Sequence, residues 1–343
     1  MSRVLIIGPN YYNFLPAMAC AFRELGWDAH VEGYDNPIHP YTDWMRLRYR
    51  VSRHRERMQQ KSRVDFRRNI EARFSALHPD LVFILNGDIL EIGTLDRFRA
   101  SAKVALWLFD SRTKLPSSEV LAAHTDAFFC FDQADVRWFN TRGQAAFFLP
   151  QACDTQAYHP LPGIQKDIDI LFVGNMFYSP RRRELMNAVA ERFPDRKVVA
   201  YGWYQPWFKG VGAWLRRPHK RVFKNVNVSS RKTNLLYNRA LAVLNIHQEH
   251  QEDGANPRVF EICGAGAWQI CDRNPYVEAL FPEGTIGLYD NQEELFCRIE
   301  EALSQDKQEA AARACRLVRT QHSFRNRVEA VLRTVYGIAS PLK

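Results

Sequence analysis

A strand, a polar loop, a helix and a second strand can be read in residues 242–272, AVLNIHQEHQEDGANPRVFEICGAGAWQICD. The first apolar run ends at Ile246, and the polar loop extends through Asp253. Asn256 is a favoured helix cap and Pro257 suits the first helical position, so a helix is predicted to begin there. Its free N–H groups would face the carboxyl edge of a parallel sheet, where phosphates bind readily.

Charged residues and glycines follow in this predicted helix. Arg258 lies in the first turn, where a guanidinium can add charge-assisted hydrogen bonds to a diphosphate. Glu261 lies one turn later and could accept both hydroxyls of a ribose. Gly264 and Gly266 end the helix and leave the backbone bare beside the next strand. Alone, Glu261 would be an ordinary surface charge, but its spacing of eight residues from Asp253, with the cap and the glycines, favours a binding site.

Apolar runs alternate with amphipathic segments on both sides of this stretch. Strands are predicted at 4–7, 29–34, 81–86, 104–110, 127–131 and 147–150, and again at 168–173, 197–201, 241–246, 268–271 and 286–289. One long or bent helix with an arginine-rich outer face is predicted over about 42–77. The pattern is typical of an α/β fold with doubly wound parallel sheets. The polar, turn-rich residues 151–166 separate two such domains.

Length and composition narrow the class of protein. The chain has 343 residues, of which 46% are hydrophobic, and this excludes a largely disordered chain. No apolar run reaches the length of a transmembrane helix. The seven cysteines contain no Cys-x-x-Cys pair, which is typical of reduced thiols in a cytoplasmic protein. His247 and His250 lie near each other in sequence, but no cluster completes a zinc site, so no metal is predicted.

The net charge of +9 is concentrated in two segments. Segment 44–68 has ten Arg or Lys against two acids, and segment 203–232 has eight Arg or Lys and no acid. The second segment also contains three tryptophans, Trp203, Trp207 and Trp214. Basic segments are often simply solvated, but two of them with interleaved aromatics favour an interface with phosphates, anionic lipid headgroups or nucleic acid.

Four stretches resemble one family of enzymes. The string DGANPRVFEICGAGAWQICD, which includes Asp253 and Glu261, resembles the acidic-x7-acidic signature of group 1 retaining glycosyltransferases of the GT-B fold. Its details resemble the CgeB-like, spore maturation protein-like subgroup. The stretches FFLPQACDTQAYHP (147–160), DILFVGNMFYSPRRREL (169–185) and HSFRNRVEAVL (322–332) resemble the interdomain segment, the first turn of the nucleotide-binding domain and the final helix of that family.

The resemblance implies a GT-B fold, with two Rossmann-like domains facing across a cleft. The expected parts are an acceptor-side domain over 1–155, a nucleotide-sugar-binding domain over 165–320, and a helix over 321–343 that packs towards the first domain. The resemblance further implies retention of anomeric configuration. The donor substrate would be a nucleotide-diphosphate sugar, and no cofactor is expected.

The resemblance also implies roles for particular residues. Glu261 would bind the donor ribose, and Asp253 would approach the donor sugar as a catalytic residue. Arg181 or Arg182, together with Arg258, would face the diphosphate. The remaining donor-side residues are expected to be Gly174, Asn175, Asn256, Gly264 and Gly266. Many group 1 enzymes have an arginine where this chain has Asn175, so the choice between the arginines stays open.

The acceptor side is expected in loops that follow strands of the first half of the chain. Asn10, Tyr11 and Asp88 occupy such loops. Asp110 follows an apolar run, and its carboxylate could orient a sugar or acceptor hydroxyl as a second catalytic group. The alternative for Asp110 is a helix cap or a turn residue.

The predicted function is transfer of a sugar to an unidentified glycan, lipid or protein acceptor. The predicted location is the cytoplasm, with peripheral binding of segments 44–68 and 203–232 to an anionic membrane face. One rival is a nucleotide-sugar epimerase, which can share the fold. Another is a non-catalytic protein that binds an anionic partner; nucleic acid is not the favoured partner.

Overall fold

The structure is a computed structural model, and it describes residues 1–10, 13–34, 54–204 and 221–337. The chain divides into two compact units. The first comprises Met1–Pro150 with Phe324–Lys343, and the second comprises Gln151–Ser323.

The first unit alternates strands and helices. Its elements in chain order are β1 (Arg3–Pro9), α1 (Phe14–Glu24), β2 (Asp28–Tyr34), α2 (Arg55–Leu77), β3 (Leu81–Leu85), α3 (Ile92–Arg99), β4 (Lys103–Leu108), α4 (Ser118–Ala122), β5 (Ala127–Cys130), α5 (Gln133–Asn140) and β6 (Phe147–Phe148). The strands form one parallel sheet in the order β2-β1-β3-β4-β5-β6. Strands β3 and β4 are buried on both faces, which explains their continuous apolar sequences.

The second unit repeats this plan. Its elements are β7 (Ile168–Val173), α6 (Pro180–Arg192), β8 (Val198–Tyr201), α7 (Ser230–Arg239), β9 (Ala240–Asn245), α8 (Pro257–Gly264), β10 (Gln269–Asp272), α9 (Pro275–Leu280), β11 (Gly287–Tyr289), α10 (Gln292–Ser304) and α11 (Gln308–Gln321). The parallel sheet has the order β11-β10-β9-β7-β8. Strand order therefore reverses between β7 and β9, and this switch point is where such sheets bind ligands.

The last helix, α12 (Phe324–Tyr336), belongs to the first unit. The Phe324 ring lies 5.8 Å from the Phe14 ring of α1, and the Tyr336 ring lies 5.8 Å from Trp27. The Tyr336 hydroxyl also donates to the Asp80 carbonyl at 2.9 Å. These contacts join the two ends of the chain within one unit.

Some predicted elements differ from the observed ones. Helix α2 begins at Arg55, and the earlier part of the helix predicted over 42–77 extends into residues that lie outside the described ranges. Helices α3, α4 and α9 were not predicted, because helices of eight, five and six residues carry too few apolar positions to show a period. Within the described ranges, no helix combines the length and apolar character needed to cross a membrane.

Candidate active site

The carboxyl edge of the second sheet gathers the residues that bear on function. Gly174 and Asn175 follow β7, His247 follows β9 and Asp272 ends β10. Because β7 and β9 are neighbours whose crossovers run in opposite directions, the loops after them diverge and leave room for a ligand.

Asn256 connects the N-terminus of α8 to the carboxyl end of β9. Its Oδ1 accepts the backbone N–H of Val259 at 3.3 Å, which caps the helix, and its Nδ2 donates to the Asn245 Oδ1 at 3.0 Å. Asn256 and Asn245 are both buried. One side chain therefore caps the helix and fixes its N-terminus against the end of β9.

Glu261 lies in a buried cluster of charged and phenolic groups. It is 1% exposed and forms an ion pair with Arg258, one turn earlier on α8. Burial raises the pKa of Glu261, while Arg258 and a hydrogen bond from the Tyr158 hydroxyl oppose that rise. The contact of Glu261 with a donor ribose stays a prediction.

Asp253 is buried in the loop between β9 and α8. The carbonyl of the next residue, Gly254, accepts a hydrogen bond from the Asn274 Nδ2 at 2.9 Å. Asn274 also caps α9. The loop that carries Asp253 is thus anchored to the neighbouring helix, and the catalytic role of Asp253 stays a prediction.

The three arginines at 181–183 have different environments. Arg182 is 7% exposed, and its guanidinium donates to the carbonyls of Ile246 and Asn175, on either side of the switch point. Arg183 donates to the carbonyls after β7. The Arg181 side chain is 40% exposed, and its Nη1 lies 2.9 Å from the Asp272 Oδ2. Arg182 therefore connects the loop after β7 to the loop after β9. Arg181 is more exposed, so it is the better candidate for the predicted diphosphate contact.

Glu249 belongs to the loop between β9 and α8, and its side chain reaches the N-terminus of α6. Its Oε1 accepts the Ser179 hydroxyl at 2.9 Å and the Arg181 backbone N–H at 3.3 Å. Although burial favours its neutral form, hydrogen bonds from its own backbone N–H, from Ser179 and from the Arg181 backbone keep the pKa of Glu249 below its usual range. The helix N-terminus thus already binds a carboxylate of the same unit, a contact that the sequence analysis did not predict.

His247 and Asp272 form a second feature that the sequence analysis missed. His247 Nδ1 lies 2.7 Å from the Asp272 Oδ1, and the His247 backbone N–H donates to both carboxylate oxygens. Burial favours the neutral form of Asp272, but His247 and Arg181 outweigh it and lower the pKa of this carboxyl. The sequence shows that both residues lie at or just after the end of a predicted strand, but not that the two strands are neighbours in the sheet.

Cys271 makes this cluster resemble a metal site, because donor atoms of His247, Cys271 and Asp272 lie within 4.8 Å of one another. Asp272 of this cluster already binds Arg181 and His247. The expectation that no metal binds here stays a prediction.

The two glycines that follow Glu261 lie close to an earlier segment of the same unit. A side chain at Gly264 would lie 2.4 Å from the Cys153 Sγ, and one at Gly266 would lie 3.1 Å from the Pro160 ring. Gly264 is the last residue of α8 and Gly266 follows the helix, so both lie away from its capped end. Cys153 and Pro160 therefore pack against the bare faces of the two glycines, and the contact of these glycines with the donor stays a prediction.

The predicted acceptor-side residues lie at the carboxyl edge of the first sheet. Asn10 is exposed, and its backbone N–H donates to the Tyr34 carbonyl at 2.8 Å. The Tyr34 hydroxyl donates to the Asp88 carboxylate at 2.5 Å.

Asp110, the proposed second catalytic group, is partly buried. Burial raises the pKa of Asp110, with Lys114 opposing the rise and Asp88 adding to it. Because the Asp110 side chain is 42% exposed, solvent limits that effect. Tyr11 lies outside the described residues.

Asp135 is a further buried carboxyl at this edge. It accepts the Arg112 backbone N–H at 3.0 Å and lies 3.3 Å from the Arg112 guanidinium. That guanidinium in turn stacks over the Trp138 ring at 4.3 Å. Burial is the main reason that the pKa of Asp135 is raised to about 6. The sequence offered no sign of this, since Asp135 is an ordinary polar position in a short helix.

The basic segments are partly engaged within their own units. In segment 44–68, Arg63 donates to the Asp88 carbonyl and Arg67 to the Ile89 carbonyl, and Arg67 also pairs with Glu91. In segment 203–232, Phe223 is fully buried, and residues 205–220 lie outside the described ranges. The membrane contact of both segments stays a prediction.

Comparison with known proteins supports a fold of two α/β units, each with one parallel sheet. Residues 181–333 match a protein family described as glycosyl transferase-like. A sucrose-phosphate synthase from Thermosynechococcus elongatus has a similar structure, with a TM-score of 0.68 and 11% identity over 99% of this chain and 100% of that one. An α,α-trehalose 6-phosphate synthase from Burkholderia multivorans has a TM-score of 0.62 and 13% identity over 100% of both chains.

HepE from Anabaena, solved in complex with UDP, is also similar, with a TM-score of 0.64 and 12% identity over 98% of this chain and 100% of that chain. A search of curated proteins found no match. The chain therefore has the GT-B fold, with two Rossmann-like α/β domains, and the predicted fold class is confirmed.

Proposed function

We propose that this protein is a retaining glycosyltransferase of the CgeB-like subgroup, which transfers a sugar from a nucleotide-diphosphate sugar. The observation that carries the proposal is the match of residues 181–333 to a glycosyl transferase-like family, within a chain of GT-B fold. The UDP bound to the structurally similar HepE adds support for a nucleotide donor.

The second unit offers groups suited to a departing diphosphate. The capped N-terminus of α8 presents backbone N–H groups, and Arg181 presents an accessible guanidinium. Such groups stabilise the charge that grows on the leaving group in the transition state. Asp253 is proposed to approach the donor sugar, and Glu261 the ribose. The proposed reaction uses no metal and no cofactor.

A binding experiment with matched variants tests the proposal. Donor binding is first measured by calorimetry for a panel of UDP-, ADP-, GDP- and dTDP-sugars, and transfer is then followed with the sugar that binds. Asp253→Asn should lower transfer roughly 100-fold with little change in donor affinity, because the group acts on the reacting sugar. The control Asp195→Asn changes an exposed carboxylate elsewhere in the same unit and should leave transfer unchanged.

Three results would contradict the proposal: no binding by any nucleotide sugar, equal transfer by Asp253→Asn and wild type, or activity that disappears in EDTA and returns with Mn²⁺. Interconversion of the donor without an acceptor would instead support an epimerase.

The acceptor is proposed to be a glycan or lipid precursor at an anionic membrane face, reached from the cytoplasm. The support is the concentration of positive charge in segments 44–68 and 203–232. Basic residues beside aromatic ones suit the headgroup region of a bilayer.

A further inference from the structure

Two buried polar atoms near Asp272 have no hydrogen-bond partner among the described residues. They are the Nε2 of His247 and the hydroxyl oxygen of Tyr289. His247 is 3% exposed and Tyr289 is 1% exposed, so bulk water does not satisfy them. Leaving a buried polar atom unpaired is costly, and such atoms are rare in folded proteins.

Asp272 fixes the orientation of the His247 ring. Its Oδ1 lies 2.7 Å from His247 Nδ1, and its Oδ2 lies 2.9 Å from the Arg181 guanidinium. An ionised carboxylate can only accept, so the proton of a neutral imidazole lies on Nδ1. In that neutral ring Nε2 is the hydrogen-bond acceptor, and Arg181 pairs with the other oxygen of Asp272.

Tyr289 supplies the complementary donor. Strand β11 pairs with β10 so that Tyr289 lies directly beside Asp272. Burial raises the pKa of the Tyr289 hydroxyl, and the charge of Asp272 raises it further, so the hydroxyl keeps its proton. Two polar atoms with no hydrogen-bond partner among the described residues therefore belong to side chains that neighbour Asp272, one by strand register and one by direct contact.

The properties of this pair indicate the kind of group that it would bind. A hydroxyl both donates and accepts, so it can satisfy Nε2 and the phenol together. A hydroxyl also carries no charge, whereas a phosphate placed among buried groups would lose far more solvation energy. His247 is on the same loop, between β9 and α8, as Asp253.

We infer that His247 Nε2 and the Tyr289 hydroxyl form a subsite that binds a hydroxyl of the nucleotide sugar. This inference rests on the proposed function and assigns part of the same site. Two sources of the hydroxyl share this chemistry, the transferred sugar and the ribose, and binding of the nucleoside diphosphate alone distinguishes them.

Two substitutions of His247 separate the binding of a ligand hydroxyl by Nε2 from the hydrogen bond between Nδ1 and Asp272. In His247→Asn the amide can replace Nδ1 and keep the bond to Asp272, but nothing replaces Nε2. In His247→Gln the longer side chain brings an amide towards the position of Nε2 and gives up the Nδ1 contact. Tyr289→Phe removes the second polar atom with almost no change in volume.

Calorimetry on the full chain would use the nucleotide sugar that binds wild type most tightly, and then its nucleoside diphosphate. We expect His247→Asn to weaken binding of the nucleotide sugar at least fivefold with an unchanged melting temperature, His247→Gln to recover part of the affinity, and Tyr289→Phe to weaken it about threefold. Weaker binding of the nucleotide sugar alone assigns the subsite to the transferred sugar, and weaker binding of both ligands assigns it to the ribose.

Two other results would overturn the subsite. Wild-type affinity in both His247→Asn and Tyr289→Phe would mean that the two atoms bind an internal water only. A loss of affinity in His247→Gln alone, with a lower melting temperature, would mean that His247 only supports Asp272. Failure of wild type to bind any nucleotide sugar would overturn the proposed function and the subsite together.

Discussion

Three consecutive arginines show how burial determines the role of a side chain. Arg182 is buried and donates to two backbone carbonyls, Arg183 donates to the loop after β7, and Arg181 keeps 40% of its side chain exposed. A guanidinium enclosed by carbonyls stabilises the fold, because buried carbonyls need hydrogen-bond donors.

Substitution of these arginines by methionine should separate stability from binding. Arg182→Met should lower the free energy of unfolding by about 1.5–3 kcal/mol, since it removes charge-assisted hydrogen bonds to buried carbonyls. Arg181→Met should cost less stability and should weaken donor binding more than tenfold. Urea denaturation and calorimetry measure the two effects, and equal losses of stability in both variants would contradict this division of roles.

Asp135 should make stability depend on pH. Its pKa is about 6 in the folded protein, above the value of about 4 in an unfolded chain, so the folded state favours the protonated acid. That contribution is complete below pH ~4 and is lost as the pH rises through about 6.

The variant Asp135→Asn lacks this titration while an amide oxygen can still accept from Arg112. Between pH 4 and pH 7, wild type should lose about 1–3 kcal/mol more stability than the variant does. Urea midpoints measured across this range test the effect. Parallel pH curves for the two proteins would show that Asp135 does not titrate there.

Among the elements, α8 is the one whose position matters most for the proposed function. It has only eight residues, so its own hydrogen bonds do little to set its direction. Asn256 does so by capping the helix and binding Asn245 at the end of β9. The ion pair of Arg258 with Glu261 then joins two successive turns of the same helix.

Loss of the Asn256 cap should therefore loosen the site. Asn256→Ala should lower the free energy of unfolding by about 1–2 kcal/mol and should weaken donor binding. Asn256→Asp keeps a capping oxygen but gives up the donated hydrogen bond to Asn245, so it should recover part of the stability. If Asn256→Ala unfolds at the same urea concentration as wild type, this capping role is wrong.

For the whole molecule, the main feature is the concentration of positive charge in segments 44–68 and 203–232. The described part of segment 44–68 shows that Arg63 and Arg67 bind carbonyls within their own unit. Arg57, Lys61 and Arg68 are exposed. A few basic residues suffice for reversible binding, because each contributes about 1 kcal/mol near an anionic surface.

Cosedimentation with liposomes tests this use of the charge. We expect binding to phosphatidylserine vesicles at low salt, little binding to phosphatidylcholine, and release at high salt. The double change Arg216→Glu and Arg217→Glu should reduce binding more than the same change at Arg313 and Arg316, which are exposed and lie outside both segments. Absence of binding to anionic vesicles at low salt would leave a soluble acceptor as the proposal.

Local features of the sequence were sufficient to predict the fold class and the residue at which α8 begins. Continuous apolar runs such as 81–85 indicate strands buried on both faces, and their alternation with helices indicates parallel sheets. The pair Asn256-Pro257 marks the helix start at the residue where α8 begins. These features could be predicted because they depend on residues within one or two turns of each other.

The tertiary structure alone decided which side chains meet. Sequence could not distinguish Arg181 from Arg182, because their environments depend on Asp272 and on the Ile246 carbonyl, which are distant along the chain. It could not reveal the pair of His247 with Asp272 either, since that contact requires β9 and β10 to be neighbours in the sheet. Strand order, burial and unpaired polar atoms arise from packing over long separations, and no local pattern of residues encodes them.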